Sequence, residues 1–230
     1  MTAVFFSFLQ NKIQGKKVIL FGETHGTKEI PELIFSFFSE YISYADFNVG
    51  LELSSTFQEK IDEFFSSGNE EILNELFYEE FENDGRKTIE YLNFIKNIRE
   101  LNIKHNKKIK IICVDVEEDF ESKDFQNKRE EVIAEKIITN TKKMFFVILG
   151  NIHASKKDIT FPGITIIPAG KYISQKLKNQ VLNINLIPKS GEFYNFSIKK
   201  VDNTISSSHG AYDYIYYVGL VSPAKVLRKK

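Results

Sequence analysis

Apolar positions in the first 150 residues alternate between two textures. Short continuous runs at 18–21, 47–53, 108–116 and 144–149 read as β-strands. The cores of three of them, 19–21, 111–114 and 145–149, are nearly all apolar, as in strands covered on both faces. Between them the spacing turns helical. In 30–44, Leu33, Ile34, Phe37, Phe38, Tyr41 and Ile42 share one face, and Pro31 fits the first turn. Ser54, Ser55 and Thr56 are N-cap candidates for a helix through about Phe65, which Gly68-Asn69 ends. Further helices are predicted over 70–81, 88–101 and 124–141, and residues 1–10 read as a first helix or strand.

The order strand–helix–strand–helices–strand–helix–strand predicts an α/β fold, mainly a parallel central sheet flanked by helices. Beyond Ala154 the texture changes, and four of the five prolines stand there, at 162, 168, 188 and 223. Segments 164–168, 181–187, 193–198 and 212–218 read as additional C-terminal strands. No linker or repeat interrupts the chain, so one domain over 1–230 is expected.

The 230 residues are 42% hydrophobic and 27% charged, enough to bury a core without disulfide or metal staples. Basic and acidic side chains balance at 31 each, which argues against a general nucleic-acid binder. No apolar run reaches the ~18 residues of a membrane span. The balance conceals a split: the first hundred residues carry 9 basic and 18 acidic side chains, the remainder 22 and 13. Two readings stay open, halves lying against each other or a basic face toward an acidic partner or lipid. The basic run 104–110 and the tail 227–230 read as solvated. The one cysteine, Cys113, sits in an apolar run and reads as a buried small hydrophobe. A single thiol excludes a disulfide framework and a Cys-based zinc site. The N-terminus lacks a basic n-region and a small-x-small cleavage site, so the cytoplasm is the default expectation, with export as an effector left open.

Ligands of open parallel sheets bind beyond the strand carboxyl ends, so the residues there carry the chemistry. The first strand is followed by Gly22-Glu23-Thr24-His25-Gly26-Thr27, the second ends in Gly50-Leu51-Glu52, the third in Val114-Asp115, and the fourth leads into Gly150-Asn151-Ile152-His153. His25 and His153 can act as base or acid near neutral pH. Glu23 and Glu52 can orient an imidazole or hold a water. Asp115 adds a further carboxylate. The same set could bind a divalent metal. There is no Gly-x-Ser-x-Gly elbow, Walker loop or Rossmann glycine triplet, so serine-hydrolase and nucleotide-dependent mechanisms lack support. His105 reads as solvated and His209 as a loop residue. Most phenylalanines read as core, although Phe57, Phe64, Phe65, Phe77 and Phe81 could line a helical lid.

Gly22-Glu23-Thr24-His25-Gly26-Thr27 followed by Glu29 resembles the first motif of the erythromycin esterase-like proteins, which group with the ChaN-like and Tiki proteins and certain toxin endopeptidase domains. Gly50-Leu51-Glu52 resembles their second motif. Tyr91-Leu92 and Arg99-Glu100-Leu101-Asn102 resemble the helix before the third strand. Arg129-Glu130-Glu131-Val132-Ile133-Ala134-Glu135 resembles a helix motif of the form Arg-Asp-x-x-Met-Ala-Glu-Asn. Asn151-Ile152-His153-Ala154 resembles the Asn-x-His motif, and Tyr212-Asp213-Tyr214-Ile215 with Pro223-Ala224 the closing strand. The matches run in the family's order over residues 18 to 224, with spacings similar to the compact toxin domains that cut Ras-type switch regions.

The resemblance implies a strand-end pocket in which Glu23, His25, Glu52 and His153 are catalytic and Arg129, Asn151 and Asp115 bind substrate. It implies hydrolysis of an ester or peptide bond in a small molecule or protein by water activated at the Glu/His cluster. In that reading His25 is the base, with the roles of His25 and His153 reversible. The alternative is a metal- or haem-binding protein without hydrolytic activity. Cofactors and oligomeric state are not given by the sequence. Glu130 and Lys136 depart from the helix motif. A second downstream histidine of the macrolide esterases is missing, with Lys156 and Lys157 in that stretch.

Overall fold

The strand runs are apolar on both faces because helices cover both. The computed structural model describes residues 2–78, 83–116, 125–202 and 210–228. Within these, α1 (Thr2–Gln10), β1 (Val18–Glu23), α2 (Glu29–Tyr41) and β2 (Phe47–Ser54) lead into α3 (Gln58–Ser67), α4 (Glu70–Phe77) and α5 (Ile89–His105). Next come β3 (Ile111–Asp115), α6 (Phe125–Thr139), β4 (Met144–Gly150) and the single turn α7 (Asn151–Ala154). The chain ends with β5 (Ile159–Phe161), β6 (Ile164–Ile166), α8 (Ala169–Leu177), β7 (Val181–Asn195), β8 (Ser197–Lys200) and β9 (Tyr214–Val221).

One sheet has the path β3-β2-β4-β1-β7, continued by β9 in parallel and by β8 in antiparallel pairing with the long β7. Its pairs from β3 to β9 are parallel, so the carboxyl ends of β1 to β4 share one rim. Alternate residues go to opposite layers. Ile19, Phe21, Phe146 and Ile148 face a large aromatic core with α1, α2 and α5. Val18, Leu20, Phe145, Val147 and Leu149 face a smaller one with Ile133 and Ile137 of α6 and Ile173 of α8. Each such buried side chain contributes on the order of 1.5–3 kcal/mol.

Local signals explain the helix ends. The Thr88 side chain caps α5 at Tyr91 N, Asn69 caps α4 at Glu71 N, and Gly68 closes α3 in the left-handed conformation. Ser54 accepts from Thr56 N, but a 3-10 turn, Ser55–Phe57, precedes α3.

Several expectations are corrected. α4 stops at Phe77, where Tyr78 bridges to Leu227; positions 79–81 of the expected 70–81 helix lie outside the described residues, as do Asp124 and His209. α5 runs on to His105, drawing part of the basic run into a helix. The expected strand 193–198 turns within itself at Phe196, where β7 folds back on β8. α8 was not anticipated, nor was β5, which pairs with β6 in a separate two-stranded sheet. The phenylalanine lid is not formed as drawn. Phe64 and Phe77 are core residues and Phe65 packs against that core. Phe81 lies outside the described residues.

Candidate active site

The sheet order makes β3, β2, β4 and β1 consecutive neighbours, so Asp115, Glu52, the Gly150 corner and Glu23 stand side by side at the rim. Glu52 occupies a β-bulge. The β2–β3 register shifts between Leu51 and Ser54, which frees Glu52 and Leu53 from regular pairing and re-aims the carboxylate. Gly150 N donates to Glu52 Oε2 at 2.6 Å. A Cβ at Gly150 would stand 2.8 Å from His25 Nε2, so glycine lets that imidazole lie against the end of β4.

The two histidines have matching surroundings. His25 Nδ1 is 2.8 Å from Glu23 Oε1, and His153 Nδ1 is 2.6 Å from Glu130 Oε1. Their Nε2 atoms turn toward Glu52, at 3.5 Å from Oε2 and 3.4 Å from Oε1. Glu23, Glu52 and Glu130 are all buried. Tyr91, from α5, donates its hydroxyl to Glu23 Oε1. Glu130 also accepts from Ala169 N at 2.9 Å, which ties α6 to the start of α8.

A second layer lies on the β3 side. Arg129 donates from Nε to Asp115 Oδ1 at 2.8 Å and from Nη2 to Asp115 Oδ2 at 2.7 Å, and reaches Glu52 Oε1 at 3.1 Å. Arg86 bridges Asp115 at 2.8 Å, Asp84 at 2.6 Å and Glu52 at 3.5 Å. The oxygens of Asp115, expected to bind substrate, are therefore engaged within the protein. Arg129, also expected to bind substrate, holds the carboxylates of Asp115 and Glu52. Asn151 lines the cavity, and its carbonyl accepts from Tyr212 Oη at 2.5 Å.

These contacts set the charges. Burial disfavours a cationic His25, but the Glu52 charge and the Glu23 hydrogen bond outweigh it and raise its pKa to about 10. Burial likewise opposes the charged His153; Glu52 and Glu130 raise it, while Arg129 pushes the other way. Burial would lift Glu52, yet the two imidazoles and Arg86 hold it well below the carboxylate range. Tyr91 is driven well above the phenol range by burial and the Glu23 charge, so it stays a donor.

A cavity of about 460 Å³ opens onto both histidines and is lined by Glu23, Glu52, Arg129 and Asn151 among others. The structure thus gathers Glu23, His25, Glu52, His153, Arg129, Asn151 and Asp115 at one rim. Glu130, Arg86 and Tyr91 were missed. Glu130 stood beside Arg129 in a motif already singled out, and its burial beside His153 needs the tertiary fold. Tyr91 has the spacing of a core aromatic. Arg86 follows the turn signal Asn83-Asp84-Gly85, which marks a bend but not its direction.

A metal fits this donor set poorly. Two of the carboxylates that would ligate it, Glu52 and Asp115, already face Arg86 and Arg129, and Glu23 is engaged by His25 and Tyr91. Among the described residues no group of three or more His, Cys, Asp or Glu side chains is arranged to hold an ion. Among the described residues no helix is long and apolar enough to cross a membrane.

No protein-family model matches the chain, and no curated protein matches it by sequence. Solved structures do. A protein from Bacillus cereus superposes with a TM-score of 0.72 at 13% identity, covering 98% of this chain and 94% of its own. A succinoglycan biosynthesis protein gives 0.70 at 14%, covering 96% and 92%. A histidine-to-asparagine variant of the erythromycin esterase EreC in its open conformation gives 0.65 at 11%, covering 85% and 78%. The chain shares the fold of these proteins.

Proposed function

We propose that the protein hydrolyses an ester or amide bond with water activated at the Glu/His cluster. One observation carries the reading. Each imidazole has Nδ1 anchored by a buried carboxylate, and both Nε2 edges converge on Glu52 in the wall of one cavity. Anchoring Nδ1 fixes the tautomer and directs Nε2 toward the reacting atoms, the logic of a carboxylate–histidine pair in acyl transfer. The fold also carries ester hydrolysis in EreC, whose name states that activity.

The charges divide the roles. His25, lifted to about 10, is an imidazolium at neutral pH and serves as proton donor. His153, raised by Glu52 and Glu130 against burial and the Arg129 charge, is assigned the role of base. This is the reverse of the assignment first expected for the pair. Glu52, held low, is a poor proton acceptor and acts as the anionic anchor between them. In the step itself, His153 Nε2 takes a proton as water oxygen bonds to the carbonyl carbon. The His25 Nε2 proton then goes to the leaving oxygen or nitrogen as its bond to carbon breaks. Proton return from His153 through solvent resets the pair.

The test is a panel of esters, lactones and peptides with and without chelator, with Glu23→Gln/His25→Ala as control. Turnover that survives chelation and disappears in the double variant is expected. Turnover that chelation abolishes sinks the mechanism, and a panel with no turnover sinks the hydrolase reading.

A further inference from the structure

A second cavity of about 380 Å³ adjoins the histidine cavity and shares Glu52, Asp84 and Arg86 with it. Its other walls join apolar Leu53, Phe57, Val116 and Phe196 to polar and charged groups that include Asp115 and Lys87, whose ammonium lies 5.2 Å from the Phe57 ring centre and leaves Phe196 as the uncovered aromatic surface. The shared wall is fixed in place. Gly85 has φ +92 and Gly26 φ +75, and a Cβ on either would collide with the Tyr194 carbonyl oxygen, at 2.6 Å and 1.6 Å. Tyr194 N donates to Gly26 O at 2.9 Å and Phe196 N to Asn83 O at 2.7 Å. The histidine loop, the Asp84–Arg86 turn and the β7–β8 hairpin are therefore packed backbone to backbone. The hairpin places Phe193 and Asn195 on the histidine cavity and Phe196 on its neighbour.

Phe196 is out of place as a structural residue. The strands pair as far as Asn195↔Ser197, leaving Phe196 alone at the bend with φ 56. That conformation suits Gly, Asn or Asp, and a bulky side chain there carries strain. Core burial does not compensate, because the residue is 52% exposed. Strain kept at a cavity mouth points to a ligand contact.

We propose that this second cavity is a substrate subsite that takes an apolar, ring-sized group. Phe196 and Phe57 form its aromatic walls, and the reacting carbonyl of the same molecule lies in the histidine cavity. The inference rests on the hydrolase reading and names its substrate class: carbonyl compounds bearing an aromatic or similarly bulky apolar substituent. Phe196 is then a specificity residue.

The test separates binding from turnover. 4-Phenylbutan-2-one and butan-2-one carry a carbonyl but no hydrolysable bond, and ligand-observed NMR titration gives their affinities. The ring should improve affinity about tenfold in the wild type. The preference should fall toward unity in Phe196→Asn and weaken in Phe57→Leu. Phe196→Asn should melt at the same or a higher temperature, because Asn tolerates the left-handed bend. With esters, it should raise KM for phenyl-bearing substrates by a larger factor than for small methyl esters. A wild type without ring preference, a preference that survives Phe196→Asn, or a lowered melting temperature in that variant overturns the subsite. Ring-dependent ketone binding without turnover of any ester keeps the subsite and defeats the hydrolase reading alone.

Discussion

The β1 corner and the α7 corner of the cavity repeat one device in different surroundings. In both, a buried glutamate holds Nδ1 of a histidine whose Nε2 faces Glu52. At the β1 corner the glutamate's further partner is a neutral phenol, Tyr91. At the α7 corner the cation Arg129 opposes protonation of the histidine. In the proposed mechanism this guanidinium is what separates the proton donor from the proton acceptor in two matching carboxylate–imidazole pairs. The placement follows from topology. α6 carries Arg129 and Glu130 side by side and lies over β3 and β4, so its charge reaches the α7 corner and not Tyr91.

Removing either histidine is the strongest way to break the comparison. His153→Ala and His25→Ala should each lower turnover by about 10²–10⁴-fold. The pH profile then tells the corners apart. Wild-type activity should rise as His153, lifted above 6.5, loses its proton, and fall as His25 loses its own near pH 10. Residual activity of His25→Ala should lack the alkaline descent, and that of His153→Ala the acidic rise. Exchanged limbs would mean that the base and acid are assigned the wrong way round.

Arg129→Met removes the difference itself. It leaves Asp115 and Glu52 short of a buried partner, and unpairing a buried ion pair costs about 3–5 kcal/mol. Calorimetry should show a melting temperature lower by roughly 10 °C, at about 2–4 °C per kcal/mol for a chain of this size. Without the arginine's charge, His153 should hold its proton more tightly. The acidic limb should therefore move to higher pH while the alkaline limb stays. A fixed acidic limb would separate Arg129 from the proton balance.

The sequence showed the rim more fully than the device built on it. Strand runs with Glu23, Glu52, Asp115 and His153 at their ends are local signals, and a parallel sheet necessarily brings such ends together. The pairing of His153 with Glu130 depends on α6 packing over the sheet face against β3 and α8, a relation carried by packing and not by periodicity. Phe196 was hidden for another reason. Alternation through 193–198 reads as one strand, and nothing in a phenylalanine announces a left-handed bend. Asn83 accepting Phe196 N makes that bend, across more than a hundred residues of chain.

Tyr91→Phe is the finest probe of the comparison, because it alters the neutral partner and leaves both histidines and both arginines in place. Glu23 Oε2 already lacks a hydrogen-bond partner among the described residues, so loss of the phenol leaves Oε1 with the His25 contact alone. A hydrogen bond to a charged group contributes about 1.5–3 kcal/mol, so its loss should bring a modest fall in melting temperature. The charge on Glu23, no longer shared with a donor, should lean harder on the imidazolium and raise the His25 pKa further. The sign for stability follows: a histidine raised in the folded state stabilises fully below its unfolded value of about 6.5, and that contribution fades as pH climbs through the folded value. In Tyr91→Phe the fade should begin at the same pH but end at a higher one than in the wild type, and the alkaline limb of activity should shift with it. The acidic limb, set at the α7 corner, should not move. If both limbs shift together, the two corners titrate as one unit, and Arg129 is not what distinguishes them.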